Sequence, residues 1–352
     1  MLIKFTYILL FGLVSCGISL ALYPFYITFL QKIKAGQQIR EASMTWEKSE
    51  IFAKLHAHKA WTPTMWWGLF LIVTVAMIWI SLWAQYFDIV NYSLINRQET
   101  YILLFAFFSM GILWFVDDVF NIIWKKAIKW LSARLKMTWM FLFSALVCYW
   151  FLVKLDMVNI YFWPFPYIST IGVLFSICMF FFSIAIVNAI NIADWLDWLV
   201  WWLSIMVLGS LWVVTFMTQR YIATTLIVVV IWILIAFLRY NINPAKIFMG
   251  DSWALAIWGL IATLVYLLNM RLGIVIPFMV LFLLFWLELA SSFLQLFWKK
   301  VFKKKLFLIA PLHHLFEKKW IAEHTIVMRF WLIQAILCVI FLVMYFYQYQ
   351  WF

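Results

Sequence analysis

The sequence predicts an all-α, polytopic membrane protein of about ten transmembrane helices, a single integral-membrane domain over residues 1–352, and three observations carry that reading. Hydrophobic residues make up 68% of the chain and charged residues 11%, a balance far from that of a water-soluble domain. Mean hydropathy is +1.01. The apolar residues gather in runs long enough to cross a hydrocarbon layer of about 30 Å as helices. The basic residues sort by loop. With the N-terminus outside, Lys32, Lys34, Arg40, Lys48, Lys54, Lys59, Lys125, Lys126, Lys129, Arg134, Lys136, Lys299 to Lys305, Lys318 and Lys319 face the cytoplasm, and only Lys4, Arg97, Lys154, Arg220 and Arg271 fall outside. This positive-inside pattern and contact with anionic headgroups account for most of the net charge of +12 without a nucleic-acid partner, and a basic site for a phosphorylated substrate is the second reading.

The first run, 5–30, opens after Lys4 and reads LVSC at 13–16, like a lipoprotein signal. It stays apolar past Cys16 to Leu30, where a cleaved signal would give way to polar residues, so it reads as an uncleaved span. Spans two to four are expected near 65–83, 101–116 and 137–153, and spans five to seven near 167–187, 199–217 and 221–239. The last three are expected near 253–268, 274–298 and 326–348. Pro24, Pro164, Pro166 and Pro277 punctuate spans or loops. Glu288 falls inside the ninth run, where a carboxylate must face protein; a helix-packing hydrogen bond is favoured over a place in a lipid-phosphate groove. Cys16, Cys148, Cys178 and Cys338 lie in separate apolar runs and predict neither disulfides nor a zinc site.

With alternating spans, the loops after spans one, three, five, seven and nine share the cytoplasmic side. Residues 31–67 (QKIKAGQQIRE, then LHAHKAWTPTMWW) form a basic loop with a turn at Pro63, either merely solvated or placing Lys59 beside phosphates. Residues 115–136 open FVDD: Asp117 and Asp118 offer hard oxygen ligands for a divalent cation, and Lys125 and Lys126 offer charge for phosphate oxygens. The plainer reading is a solvated helix end. In NAINIADWLDWLVWWLS, 188–204, Asn188 and Asn191 precede Asp194 and Asp197, one helical turn apart, which suits a shared face or an asparagine-rich cap. Residues 239–259, RYNINPAKIFMGDSWALAIWG, carry Asn241, Phe248 and Asp251, in a functional loop or a plain turn before a helix. Residues 310–331, APLHHLFEKKWIAEHTIVMRFW, bring His313 and His314.

Together these phrases resemble the polyprenyl-phosphate sugar-1-phosphate transferases, in family order from about residue 31 to 331. The matching family patterns are KxGQxIR with HxxKxGTPTMGG, FVDDxxK, NxxNxxDGLDGLAGGLS and NxxPAxxFMGDxGSLALGG. The last segment is similar to the PxHHHxE and RFW phrases of the phospho-N-acetylmuramoyl-pentapeptide transferases, with Leu315 where a third histidine is usual. The resemblance implies transfer of phospho-MurNAc-pentapeptide from its UDP carrier to undecaprenyl phosphate, giving lipid I and UMP at the cytoplasmic face of the plasma membrane. It implies Mg²⁺ held by Asp251 and by Asp117 or Asp118, the other aspartate orienting or deprotonating the lipid phosphate. Lys59, Lys125, Lys126, Asn188, Asn191, Asp194, Asp197 and Asn241 would hold the nucleotide and its phosphates, Phe248 would stack on uracil, and His313 or His314 would meet the sugar-phosphate side. The implied partners are undecaprenyl phosphate, UDP-MurNAc-pentapeptide, membrane lipids and a possible homodimeric copy. A UDP-N-acetylhexosamine transferase acting on the same lipid is the nearest alternative, opposed by the histidine and RFW phrases. A transporter or an inactive scaffold would be of another class.

Trp61, Trp66, Trp67, Trp114, Trp130, Trp195, Trp198, Trp201, Trp202, Trp253, Trp258 and Trp320 stand where the resembled family has glycine, while Gly36, Gly111, Gly250 and Gly259 keep it. Twenty-five Trp against ten Gly reverses ordinary usage. Drift does not choose one replacement so consistently. The expectation is a gene that reads UGA as glycine, as some bacteria do, translated here as tryptophan.

Overall fold

The computed structural model describes residues 2–33, 63, 67–123, 133–155, 160–162, 165–168, 172–193, 199–242, 245–247, 252–272, 275–318 and 321–349. The apolar runs become helices because a backbone within hydrocarbon has only its own carbonyls to bond. Helix α1 (Leu2–Lys32) passes Cys16 and Pro24 without a break. It is followed by α2 (Trp67–Tyr86), α3 (Gln98–Ile123) and α4 (Ala133–Tyr149), the last prolonged by a wider turn over Trp150–Lys154. A two-stranded antiparallel hairpin, β1 (Ile160–Phe162) and β2 (Phe165–Ile168), precedes α5 (Gly172–Ala193), α6 (Leu199–Met217), α7 (Tyr221–Asn241) and α8 (Ser252–Leu272). The chain closes with α9 (Val275–Leu281), α10 (Leu283–Phe302), the short α11 (Leu312–Lys318) and α12 (Glu323–Tyr349).

Among the described residues, six stretches are long and apolar enough to cross a membrane: Leu2–Lys32, Gly68–Tyr86, Met137–Lys154, Leu199–Met217, Tyr221–Asn241 and Glu323–Gln348. Shorter apolar helices cover Gln98–Ile112, Phe180–Ile190 and Ala256–Leu268. Two expectations need correction. The fifth helix starts later than residue 167, after the hairpin, and continues to Ala193, so Asn188 and Asn191 lie inside it rather than beyond it. Asn188 donates Nδ2–H to the Ile184 carbonyl at 2.7 Å, one turn back, which gives its amide a partner inside the helix. The ninth run is two helices, α9 and α10, meeting at Phe282. Gln334 of α12 donates to the Leu281 carbonyl at 3.0 Å, the acceptor that an unbroken helix would give to residue 285. A side chain inserted into the ladder is a recognised cause of a kink.

Small residues set the closest helix crossings, as expected where packing must drive association in lipid. A methyl group at Gly12 would overlap the Trp232 ring and Val228, which fixes α1 against α7. One at Gly259 would lie 3.3 Å from Met110 Cγ and 3.4 Å from the Ala106 carbonyl oxygen, so α8 presses directly onto α3. Helices α7 and α8 form the centre, with Leu226, Val230, Leu234, Leu260 and Leu264 fully buried. Helix α12 turns Leu332, Ile336, Val339 and Val343 outward, an apolar face that suits hydrocarbon.

Candidate active site

The helix ends carrying the polar phrases come to one end of the bundle. Arg220 Nη1 lies 3.2 Å from Glu99 Oε2, which ties the first turn of α3 to the start of α7. Both helices run away from that bridge. Helix α7 ends at Asn241, and α8 returns from Ser252. From the Met110–Gly259 crossing, Asp117 is seven residues forward on α3 and Ser252 seven back on α8, about 10 Å along each axis at 1.5 Å per residue. The Asp117–Asp118 turn and the start of α8 therefore share the far end. Asn188, near the end of α5, approaches Met140 Sδ at 3.9 Å, which brings the first turns of α4 to the same place. Trp202, at the start of α6, packs on Trp331 of α12 with ring centroids 5.3 Å apart.

The histidine segment is docked on this assembly by a buried carboxylate. Glu288, 2% exposed, reaches from α10 to α11, where its Oε2 accepts the Leu312 backbone N–H at 2.9 Å and lies 3.1 Å from His313 Nδ1. The packing reading of Glu288 therefore holds. His313 is fully buried; its Nε2 and Glu288 Oε1 have no hydrogen-bond partner among the described residues. His314 keeps 17% of its side chain exposed and hydrogen-bonds Glu317 through Nδ1, one turn along α11. Burial pushes the His314 pKa below the ordinary imidazole value, against the opposing hydrogen bond from Glu317, so the ring is neutral at pH 7. Phe316 packs edge-on against Phe330 at 6.3 Å, joining the histidine and RFW phrases through aromatic contact.

Asn241 is buried at the end of α7 and donates Nδ2–H to the Ile247 carbonyl at 3.0 Å. Its donor shapes the loop ahead of Phe248, while Oδ1 has no partner among the described residues. Asp117 and Asp118 belong to the last turns of α3, and Asn191 to the last turn of α5. Lys59, Lys125, Lys126, Asp194, Asp197, Phe248 and Asp251 lie outside the described residues. Among the described residues no three His, Cys, Asp or Glu side chains converge as a metal site. Both histidines commit Nδ1 to carboxylates.

Of the tryptophans at resembled glycine positions, Trp258 is fully buried, 4.8 Å from Phe285 and 5.7 Å from Phe282 by ring centroids, with no partner for its indole N–H among the described residues. Trp201 packs edge-on against Phe237 at 5.3 Å. Sequence reasoning missed two glutamines. Gln334 bonds the Leu281 carbonyl at the break between α9 and α10, and Gln295 of α10 accepts the N–H groups of Leu306 and Phe307 at 3.1 and 2.8 Å and donates to the Phe307 carbonyl at 3.1 Å. Their signal was a lone amide in an apolar run.

Residues 100–269 match the family model described as Glycosyl transferase family 4. The phospho-N-acetylmuramoyl-pentapeptide-transferase of Clostridium beijerinckii is 32% identical over 92% of this chain and 91% of its own length. That of Staphylococcus carnosus is 30% identical over 92% of this chain and 95% of its own, and that of Clostridium botulinum strain Eklund 17B 31% over 93% of each. Likeness at this level along nearly the whole of both chains goes beyond a shared fold: the chain belongs to the phospho-N-acetylmuramoyl-pentapeptide-transferase family.

Proposed function

We propose that the chain transfers phospho-MurNAc-pentapeptide from its UDP carrier to undecaprenyl phosphate, releasing UMP and leaving lipid I in the membrane. The observation that carries this is family likeness over more than nine-tenths of the chain, together with a histidine segment held at the end where the aspartate-bearing turn of α3 arrives. It is a membrane transferase of peptidoglycan synthesis. In the finer reading it crosses the plasma membrane about ten times with the N-terminus outside, and its active site faces the cytoplasm.

Both substrates are anionic at the reacting phosphates, so they need positive charge before they can approach. Asp251 with Asp117 or Asp118 would hold Mg²⁺, whose role is to neutralise the diphosphate and the departing UMP. The other aspartate of the pair orients or deprotonates the lipid phosphate. Lys59, Lys125 and Lys126 add charge beside the phosphates; Asn188, Asn191, Asp194, Asp197 and Asn241 position the nucleotide, and Phe248 stacks on its base. The test is UMP release by purified protein with undecaprenyl phosphate and either UDP-MurNAc-pentapeptide or UDP-GlcNAc. Preference for the muramoyl donor is expected. Preference for UDP-GlcNAc would overturn the reading.

A further inference from the structure

We propose that Glu288 is a positioning residue for the histidine pair: it holds His313 in the Nδ1–H tautomer and pins the first turn of α11, so that His314 is the histidine that meets the donor sugar. The division follows from burial and from what the Glu288 carboxylate accepts. The Glu288 carboxylate can only accept, and its Oε2 receives two donors, the Leu312 N–H at 2.9 Å and the His313 ring N–H at 3.1 Å. A neutral ring with its proton on Nδ1 leaves a bare lone pair at Nε2, which is cheaper to bury unpaired than an N–H. With no exposed surface, His313 has none to offer a substrate, whereas His314, next in the chain with its ring centroid 4.2 Å away, keeps part of its surface open.

His314 is held in turn. Glu317 accepts its Nδ1–H, so Nε2 of a neutral ring is an acceptor. An acceptor cannot hydrogen-bond an unprotonated phosphate oxygen; its partner is an O–H or N–H, which the N-acetylated sugar of the donor carries. The contact therefore falls on the sugar rather than on the diphosphate. This assignment rests on the proposed function for its substrate, while the Glu288–His313 arrangement stands without it.

The experiment joins spectroscopy to turnover. In ¹⁵N-histidine-labelled protein in lipid nanodiscs, His313 is identified among the five histidines by its loss in His313→Asn. It is expected to show the Nδ1–H tautomer. Glu288→Leu keeps much of the bulk but removes the one oxygen that both donors share, so nothing holds the ring proton on Nδ1. Turnover is then expected to fall by about tenfold or more, with KM for undecaprenyl phosphate changed by less than about twofold, as when a group acts in the reacting complex rather than in binding lipid. His313→Asn, whose amide N–H replaces the ring Nδ1–H, should recover about tenfold of the activity lost in His313→Ala. His314→Asn should recover nothing over His314→Ala. An Nε2–H tautomer at His313 in the native protein, or rescue by asparagine at 314 and not at 313, would overturn the proposal. The expected tautomers in a protein that releases no UMP from the muramoyl donor would support the Glu288–His313 arrangement and sink the functional reading instead.

Discussion

Asp251 bears the most weight at the residue scale. Asp251→Asn removes one hard oxygen ligand from the expected Mg²⁺ site, so turnover at ordinary magnesium should drop by about a hundredfold or more, with the thermal midpoint unchanged. UMP release across a magnesium titration, beside a melting curve, measures both. His314 gives a second prediction, in pH. Its pKa is lower folded than unfolded, so as pH falls through 6.5 the unfolded chain takes up a proton that the folded chain resists. Stability at this site is full above 6.5 and is lost progressively below it. Removing the ring in His314→Gln should flatten the slope of midpoint against pH between about 6.5 and 5. An equally steep slope would mean that another group titrates there. The Asp117–Asp118 pair and the histidines stand out in the sequence as candidates because charge beside an apolar run is expensive unless used. That His313 is buried and His314 partly open was not legible, since it depends on Glu288, which is brought to α11 only by folding.

The legible elements were those that hydrocarbon dictates. A membrane-length apolar run has only the helix available to it, so α1, α6, α7 and α12 stand close to the expected places. The ninth run misled because its break comes from elsewhere: Leu281 gives its carbonyl to Gln334, and no local propensity in 274–298 announces this. Gln334→Leu tests the cause. It should let the ladder close across Phe282, and the lost bond should cost about 1 kcal/mol in stability. A larger effect is expected on UMP release, because α10 carries Glu288 toward the histidine segment. Helix geometry around 281–286 can be read from paired spin labels on α9 and α10. An unchanged angle would assign the kink to another cause. The hairpin of Ile160–Phe162 with Phe165–Ile168 was read as loop and the entry to a span, since its strands are short and apolar throughout, without the polar alternation that marks a half-buried strand in sequence.

Across the whole molecule, the tryptophan pattern makes a prediction about the chain itself. Peptides from the native organism covering 194–202 should carry glycine masses at 195, 198, 201 and 202, and the gene should read UGA there. UGG at those codons with tryptophan masses would end the idea. The structure shows what is at stake, because the Trp258 indole fills a fully buried place between α8 and α10 with its N–H unpartnered among the described residues. Glycine there would let the helices approach as closely as α3 and α8 do at Gly259.

The Arg220–Glu99 bridge stands at the opposite end from all the chemistry, and so it acts as the fixed pivot of a pair of long levers. From Glu99 to Asp117 is a helical arm of about 27 Å, and a swing of about 4° at the pivot would carry the tip by about 2 Å. Misplacement on that scale can cost about a hundredfold in rate. An ion pair that touches no substrate thus shares with the Met110–Gly259 crossing the aiming of the aspartates. Glu99→Gln should widen the spread of distances between spin labels placed near 117 and 241, and it should slow UMP release more than it lowers the affinity for either substrate.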